Sequence, residues 1–192
     1  MHKALRQYLD QFVKLNDEEF QTMSSLCKST RINKNEHLIK EGQYAKKLFF
    51  IHTGFVRYYQ NVDGEETTRD FIFSPVMLTA YESWITFNPS DVSIQALIDC
   101  KMLVWNREGI MSLYNEYPSI NKLGRILAEQ AFINLNQHYR RLLKDDAMAR
   151  YKDLLLKEPD ILKLAPLQQI ASFLNVTPQH LSRIRKSLSE SE

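Results

Sequence analysis

The chain is 192 residues long, 44% hydrophobic, 11% aromatic and 25% charged, with a formal net charge of +2. Such a composition buries a sizeable core and excludes a disordered chain, and the length fits one large domain or two small ones. The longest apolar runs, such as 48–51, hold only a few residues, which excludes a membrane-spanning helix.

Residues 2–28 read as short helices. Leu5, Tyr8, Leu9 and Phe12 share one helical face. Asn16 or Asp17, followed by Glu18 or Glu19, resembles a capping start for a second helix reaching Leu26. The opening MHKALRQYLDQF interleaves charged and apolar positions and lacks the continuous apolar stretch of a secretory signal, so a cytoplasmic location is expected.

Residues 31–105 change character. HLIKEG, LFFIHTGFVRYYQNVDGEETTRDFIF, VSIQALI and KMLVW are rich in β-branched and aromatic residues. Turn signals separate them at Glu41-Gly42, Thr53-Gly54 and Asp63-Gly64. Asp63-Gly64 between two alternating runs is a hairpin signal, because both turn positions favour positive φ. Several short strands at this spacing predict an antiparallel sandwich or roll. Cys27 and Cys100 lie far apart, without a Cys-x-x-Cys pair, and read as buried small hydrophobes. Neither metal nor any other cofactor is expected.

Helix returns over 106–144. Glu108 to Tyr114 makes a short helix, and Pro118 starts a long one. Leu123, Leu127, Ala131, Leu135, Tyr139 and Leu143 recur every fourth residue, and Ile120, Ile126 and Ile133 widen the stripe. A helix with so broad an apolar face covers something on two sides. It suits its own roll plus a second subunit, or the core of a monomer.

Residues 145–192 are helical and short-looped. Asp145 or Asp146 caps a helix to about Lys157, Pro159 ends it, and Pro166 breaks the chain again. Charge concentrates here. Residues 1–139 carry 15 Lys and Arg against 16 Asp and Glu, whereas 140–186 carry 10 against 5. Glu190 and Glu192 make the tail acidic. A basic segment of this kind suits an anionic polymer.

PLQQIASFLNVTPQHLSRIRKSL lies in that segment. A first helix over 167–174 turns Ile170 and Leu174 inward and places small Ala171 where two helices cross. Asn175 stands at a sharp turn and tolerates the left-handed conformation. Val176 plugs the turn. Thr177 is a good N-cap, and Pro178 fits the first helical position. The second helix, to about Leu188, turns Leu181, Ile184 and Leu188 inward. Its outer face carries Gln179, Ser182, Arg183 and Lys186 at i, i+3, i+4 and i+7. Gln and Arg make bidentate contacts with adenine and guanine edges in the major groove. Gln179, Arg183 and Ser182 are therefore candidate base contacts. Thr177, His180, Arg185 and Lys186 are candidate phosphate contacts. An amphipathic helix pair with a solvated basic face is the plainer reading of the same residues.

The whole order of segments resembles the Crp/Fnr (cyclic-AMP receptor protein) family of bacterial transcription regulators. HLIKEGQYAKKLFFIHTGFVRYY is similar to the start of the cyclic-nucleotide-binding fold, and VSIQALIDCKMLVW to its closing strands. LQQIASFLNVTPQHLSRIRKSL matches the family's DNA-reading segment without a gap. The resemblance implies an α+β fold. A cyclic-nucleotide-binding-like antiparallel β-roll of jelly-roll type fills 1–115 as sensor, and a dimerisation helix spans 116–144. A helix-turn-helix domain then occupies 145–192. It also implies a homodimer through the 118–144 helix, acting on double-stranded DNA and not as an enzyme. Pro178 stands where cyclic-AMP receptors carry a basic residue, so a different target sequence is expected.

Two departures sharpen the expectation. Cyclic-AMP-binding members use a Gly-Glu pair for the ribose and an Arg-Ser pair for the cyclic phosphate. MLTAYESWITFNPSDVSIQAL holds no Gly, and Ser90-Asp91 occupies the place of Arg-Ser. An arginine fork holds a phosphate, and Asp91 repels it. The effector is thus unnamed, and cyclic AMP is not expected. A small aromatic-lined cavity built from Phe73, Tyr81, Glu82, Trp84 and Phe87 is one expectation, and aromatics that simply fill the roll are the other. The segment 159–166 is short for a hairpin, and only four residues follow Leu188, so a reduced wing is expected. The rival readings are a roll that binds a small molecule or a protein partner without binding DNA. The five histidines, His2, His37, His52, His138 and His180, lack His-x-His or His-x-x-x-His spacing, which argues against a cupin-like metalloenzyme.

Overall fold

The computed structural model describes residues 1–190. Glu192, counted above in the acidic tail, lies outside the described residues. α1 (His2–Leu9) and α2 (Asp17–Ser25) open the chain. The start of α2 is a full capping box. Asn16 Oδ1 accepts from the Glu19 N–H at 2.9 Å, and the Glu19 carboxylate accepts from the Asn16 N–H at 2.8 Å.

Eight strands follow: β1 (Lys28–Ile32), β2 (His37–Ile39), β3 (Lys47–Thr53), β4 (Phe55–Val62), β5 (Glu65–Phe73), β6 (Val76–Leu78), β7 (Ser93–Ala96) and β8 (Cys100–Asn106). They form two four-stranded antiparallel sheets, ordered β1-β8-β3-β6 and β2-β7-β4-β5. Sequence neighbours β3 and β4 fall in different sheets, so the chain changes sheet at Gly54, as a β-roll requires. The β4–β5 hairpin turns at Asp63 (φ 53°) and Gly64 (φ 88°), the two positive-φ positions that the sequence demanded.

α3 (Tyr81–Thr86) bridges β6 to β7. α4 (Arg107–Glu116) and α5 (Pro118–Lys144) leave the roll. α4 starts before the expected Glu108 and runs past Tyr114. The main core joins Phe50, Ile51, Leu103 and Trp105 of the roll to Leu5 and Leu9 of α1, Ile110 and Leu113 of α4, and Ile120 and Leu123 of α5. Trp105 donates its indole N–H to the Met23 carbonyl at 2.7 Å, which satisfies its one polar atom inside the core.

Four helices complete the chain: α6 (Ala147–Lys157), α7 (Pro159–Leu164), α8 (Leu167–Phe173) and α9 (Pro178–Ser189). Asp146 caps α6, accepting from the Ala149 N–H at 2.8 Å. Pro159 does more than end α6. It sits at the first turn of α7, where its missing N–H costs nothing. The stretch expected to hold a shortened wing hairpin is thus helical.

A second core ties the two ends of the fold together. Phe55 and Phe71 of the β2-β7-β4-β5 sheet, with Leu97 just after β7, pack with Tyr151, Leu154, Ile161, Ile170, Leu174, Leu181 and Ile184. On β4 and β5, Phe55, Arg57, Phe71 and Phe73 share one face by register, and Val56, Tyr58, Asp70 and Ile72 share the other. The first face carries the C-terminal helices, and the second faces the interior. The break drawn at 144/145 separates helices, but it does not separate cores.

Candidate nucleic-acid interface and effector cavity

The α8–α9 corner follows from residues within the stretch 171–178. The Asn175 N–H reaches the Ser172 carbonyl at 3.0 Å, and the Val176 N–H reaches that of Ala171 at 3.0 Å. Closing both bonds needs a left-handed residue, and Asn175 takes φ 53°. Ala171 is fully buried at the crossing. Thr177 Oγ1 accepts from the His180 N–H at 3.2 Å, and Pro178 occupies the first turn of α9. Arg150 of α6 clamps the arrangement. Its Nη2 donates to the Leu174 carbonyl at 2.8 Å, its Nε donates to the same oxygen at 3.2 Å, and its Nη1 bonds the Asp145 carbonyl.

α9 is sharply two-faced. Leu181 and Ile184 are buried, whereas Gln179, His180, Ser182, Arg183, Arg185 and Lys186 are exposed. Ser182 Oγ donates back to the Pro178 carbonyl at 3.0 Å. Lys186 lies 3.7 Å from Glu190, an exposed pair of little energetic weight. Among the described residues Gln179, Arg183 and Arg185 have no hydrogen-bonded or ion-paired side-chain partner. α8 lies against β5, and α9 packs on α8 and α6. The base-contact candidates and Lys186 therefore share one open helix face. Thr177 is committed to its cap, with its second lone pair still able to accept.

The docking of α8 on β5 is specific. The Thr68 N–H donates to Ser172 Oγ at 2.8 Å, and that hydroxyl donates to the Glu66 carbonyl at 3.3 Å. Phe173 meets Phe71 edge-on with centroids 5.3 Å apart, and His138 of α5 stacks on Phe173 at 4.8 Å. Burial and the nearby guanidinium groups of Arg141 and Arg150 hold the His138 imidazole below its ordinary range.

Between the inner face of β4–β5, α3 and α5 lies an open-sided cavity of about 700 Å³, whose lining extends to Glu158 and Phe173. Of the residues expected to line a small pocket, Phe73, Tyr81, Glu82 and Trp84 are in its wall. Phe87 is not. It ends α3 in the left-handed conformation (φ 56°), exposed, with its ring 5.4 Å from that of Tyr44 and under the Arg107 guanidinium. The cavity is also larger than expected. Its walls hold charged groups that sequence reasoning missed: Asp70, Arg69, Arg141 and Glu158. Asp70 lines the cavity and is solvent-exposed there, with protein packed densely around its other sides. That burial pushes its carboxyl up to about 7, and the Glu158 charge adds to the rise against a hydrogen bond from the Phe71 N–H. Its sequence signal was its place on the same face as Tyr58, opposite which it pairs. A register shift between Tyr58 and Tyr59 hid that alternation.

Asp91 lines the cavity, and Ser90 beside it does not. Ser90 is buried, and its hydroxyl donates to the Val92 carbonyl at 2.7 Å. Asp91 pairs with Arg69 at 3.0 Å.

Residues 29–117 match the cyclic nucleotide-binding domain. That domain covers the roll and α4, and the remaining helices fall outside it. No curated protein matches the chain. Among solved structures, FixK2 from Bradyrhizobium japonicum is similar over 86% of this chain and 85% of its own, at 18% identity and a TM-score of 0.73. CLP of Xanthomonas campestris, described as a c-di-GMP-responsive global regulator, is similar over 92% and 93%, at 14% identity and a TM-score of 0.72. A protein from Eubacterium rectale, assigned to the crp/fnr family of transcriptional regulators, is similar over 92% and 85%, at 17% identity and a TM-score of 0.76. At these identities the likeness is one of fold, and it extends through the C-terminal helices. No helix among the described residues is long and apolar enough to cross a membrane.

Proposed function

We propose that this chain is a sequence-specific DNA-binding transcription regulator of the Crp/Fnr type. In this reading α8 and α9 form a helix-turn-helix, and α9 enters the major groove. The observation that carries it is the open face of α9, where Gln179, Ser182 and Arg183 stand beside Lys186 while α8 takes up the docking against β5. Gln179, Arg183 and Ser182 read bases, and Thr177, His180, Arg185 and Lys186 hold phosphates. The chain works by binding and not by catalysis.

The active form is a homodimer through α5. The beginning of that helix is buried against the roll, but Phe132 (67% exposed), Leu135 (53%), Tyr139 (58%) and Leu143 (71%) have no cover from the chain itself. Pairing two such faces places two copies of α9 about one DNA turn apart. A cytoplasmic location fits a partner that is chromosomal DNA.

Cyclic AMP is not the effector in this reading. Asp91 lines the cavity where a phosphate-binding arginine is expected, and it already neutralises Arg69. The effector is a different molecule.

Duplex binding by the full chain at about 50 mM and about 200 mM salt tests the reading. Affinity falls as salt rises. With Arg185 and Lys186 from two protomers on phosphates, the logarithmic slope is about −4. Salt-insensitive or absent binding to every duplex favours the rival, a roll that binds a small molecule or a protein without DNA.

A further inference from the structure

We propose that the cavity between β4–β5, α3 and α5 binds an apolar organic cation, an aromatic or alkyl amine, with Asp70 as its counter-ion. This deepens the reading of the roll as a sensor without a cyclic-AMP site. It does not depend on DNA binding.

Size and lining set the first requirement. About 700 Å³ falls within the range of small-molecule sites. The walls supply Ile72, Leu78, Tyr81 and Leu127 against the body of a ligand. Charge sets the second. Both arginines of the wall are already engaged, Arg69 by Asp91 at 3.0 Å and Arg141 by Asp153 at 3.3 Å. Asp70 and Glu158 have no cation in salt-bridge range among the described residues, and the Asp70 carboxylate accepts a bond from the Phe71 N–H at 2.9 Å. An anion entering this cavity meets four wall carboxylates, Asp70, Glu82, Asp91 and Glu158, against two arginines that are already ion-paired. An ammonium meets an acceptor set instead. Asp70 stands in register with Tyr58, whose hydroxyl donates to the Thr79 carbonyl at 3.2 Å and keeps a lone pair to accept. Partly shielded by those walls, an ion pair is screened less than on the open surface.

The same geometry gives the ligand a consequence. β5, α5 and the α7–α8 segment all contribute to one wall, through Asp70, His138, and Glu158 with Phe173. An occupant therefore touches both the roll and the helices docked on it, so that it favours one relative placement over another.

Calorimetric titration of the full chain with tryptamine, phenethylamine and indole-3-propionate tests the proposal. At least one amine binds, and indole-3-propionate, which matches tryptamine in shape but carries the opposite charge, binds at least about tenfold more weakly. Asp70→Asn loses about tenfold or more of the amine affinity, and Glu158→Gln loses less. Amine affinity also weakens as pH falls from about 8 to about 6, because Asp70 must give up a proton to pair. The charged and titratable groups that line the cavity with Asp70 are Arg69 on β5, Glu82 on α3, Asp91, His138 and Arg141 on α5, and Glu158, with the phenols of Tyr8, Tyr58, Tyr81 and Tyr114. His138, held below its ordinary value by burial and by Arg141 and Arg150, gains its charge only below that range. Binding of neither amine, equal binding of the anion, or an unchanged Asp70→Asn variant that retains its native melting transition overturns the proposal. A parallel titration with cyclic AMP keeps the two readings apart. Micromolar binding there overturns the sensor reading without touching the amine result.

Discussion

Ser172 Oγ and the Thr68 N–H lie 2.8 Å apart across 104 residues of chain, and this bond fastens α8 to the edge strand of the β2-β7-β4-β5 sheet. Thr68 is only 3% exposed, so its N–H has no ready water to replace the hydroxyl. The same oxygen also donates to the Glu66 carbonyl. One serine thus covers an exposed sheet edge and docks a helix.

Ser172→Ala leaves that amide unpaired and costs about 1–2 kcal/mol of stability. Urea unfolding measures the loss. Hydrogen exchange at Thr68 reports its location, with faster exchange there than at Ile94 in the main core. A variant with unchanged exchange at Thr68 means that the contact carries no docking.

Asp70 makes the fold pH-sensitive. Its carboxyl is held at about 7 against an ordinary 3.8, so the folded chain binds the proton more tightly than the unfolded one. The stability it contributes is full below the unfolded value and is lost as pH rises through the folded one. Asp70→Asn removes this loss, so the melting temperature of the variant gains on the parent between about pH 5 and about pH 8. Glu158, also pushed up by burial, retains part of the slope. His138, pushed down, runs the opposite way below its ordinary value. A constant difference across the range contradicts the raised carboxyl.

Arg183 and Lys186 share a helix face but are assigned different work. Arg183→Ala costs about 1–3 kcal/mol at the preferred site and relaxes one base position. Lys186→Ala weakens all duplexes alike and lowers the salt slope by about one per half-site. A selection from randomised duplexes with each variant measures both effects. Equal, sequence-independent losses would falsify base reading by Arg183.

Gly54 is the corner at which the chain passes from one sheet to the other. Its φ is 154°, and a Cβ there falls 2.4 Å from Cys100 Sγ and 2.9 Å from Cys100 Cβ. Both atoms belong to a buried residue of β8 with little room to retreat. Gly54→Ala therefore costs about 2–3 kcal/mol through overpacking, and Gly54→Ala combined with Cys100→Ala recovers part of it. Thermal melts of the single and double variants measure the coupling.

Much of the backbone was legible because its signals are local. Asn16 and Glu19 bond within one turn. Asp63-Gly64 needs only its own two φ angles, and Asn175, Thr177 and Pro178 build a corner from adjacent residues. The inward set of α9, Leu181 and Ile184, follows from period alone. The cavity was less legible. Phe73, Tyr81, Glu82 and Trp84 reach it, but Phe87 turns away at the left-handed end of α3, where one φ angle redirects the ring. Asp70 escaped notice because the register shift beside Tyr59 interrupts the alternation that marks an inward residue.

The sequence by itself determined the order of elements, their caps and turns, and the two-faced character of α9, since these depend on interactions between residues a few positions apart. The tertiary structure alone decided where the long apolar stripe of α5 is covered, that Pro159 opens a helix in place of a wing, and that α8 docks on β5 through Ser172 and Phe173. It alone also brought Asp70, Glu158 and His138 to one cavity. Those outcomes depend on which of several comparable apolar faces meet when the chain closes on itself. Phe71 and Phe173 are 102 positions apart, and no periodicity within either segment specifies the other as its partner.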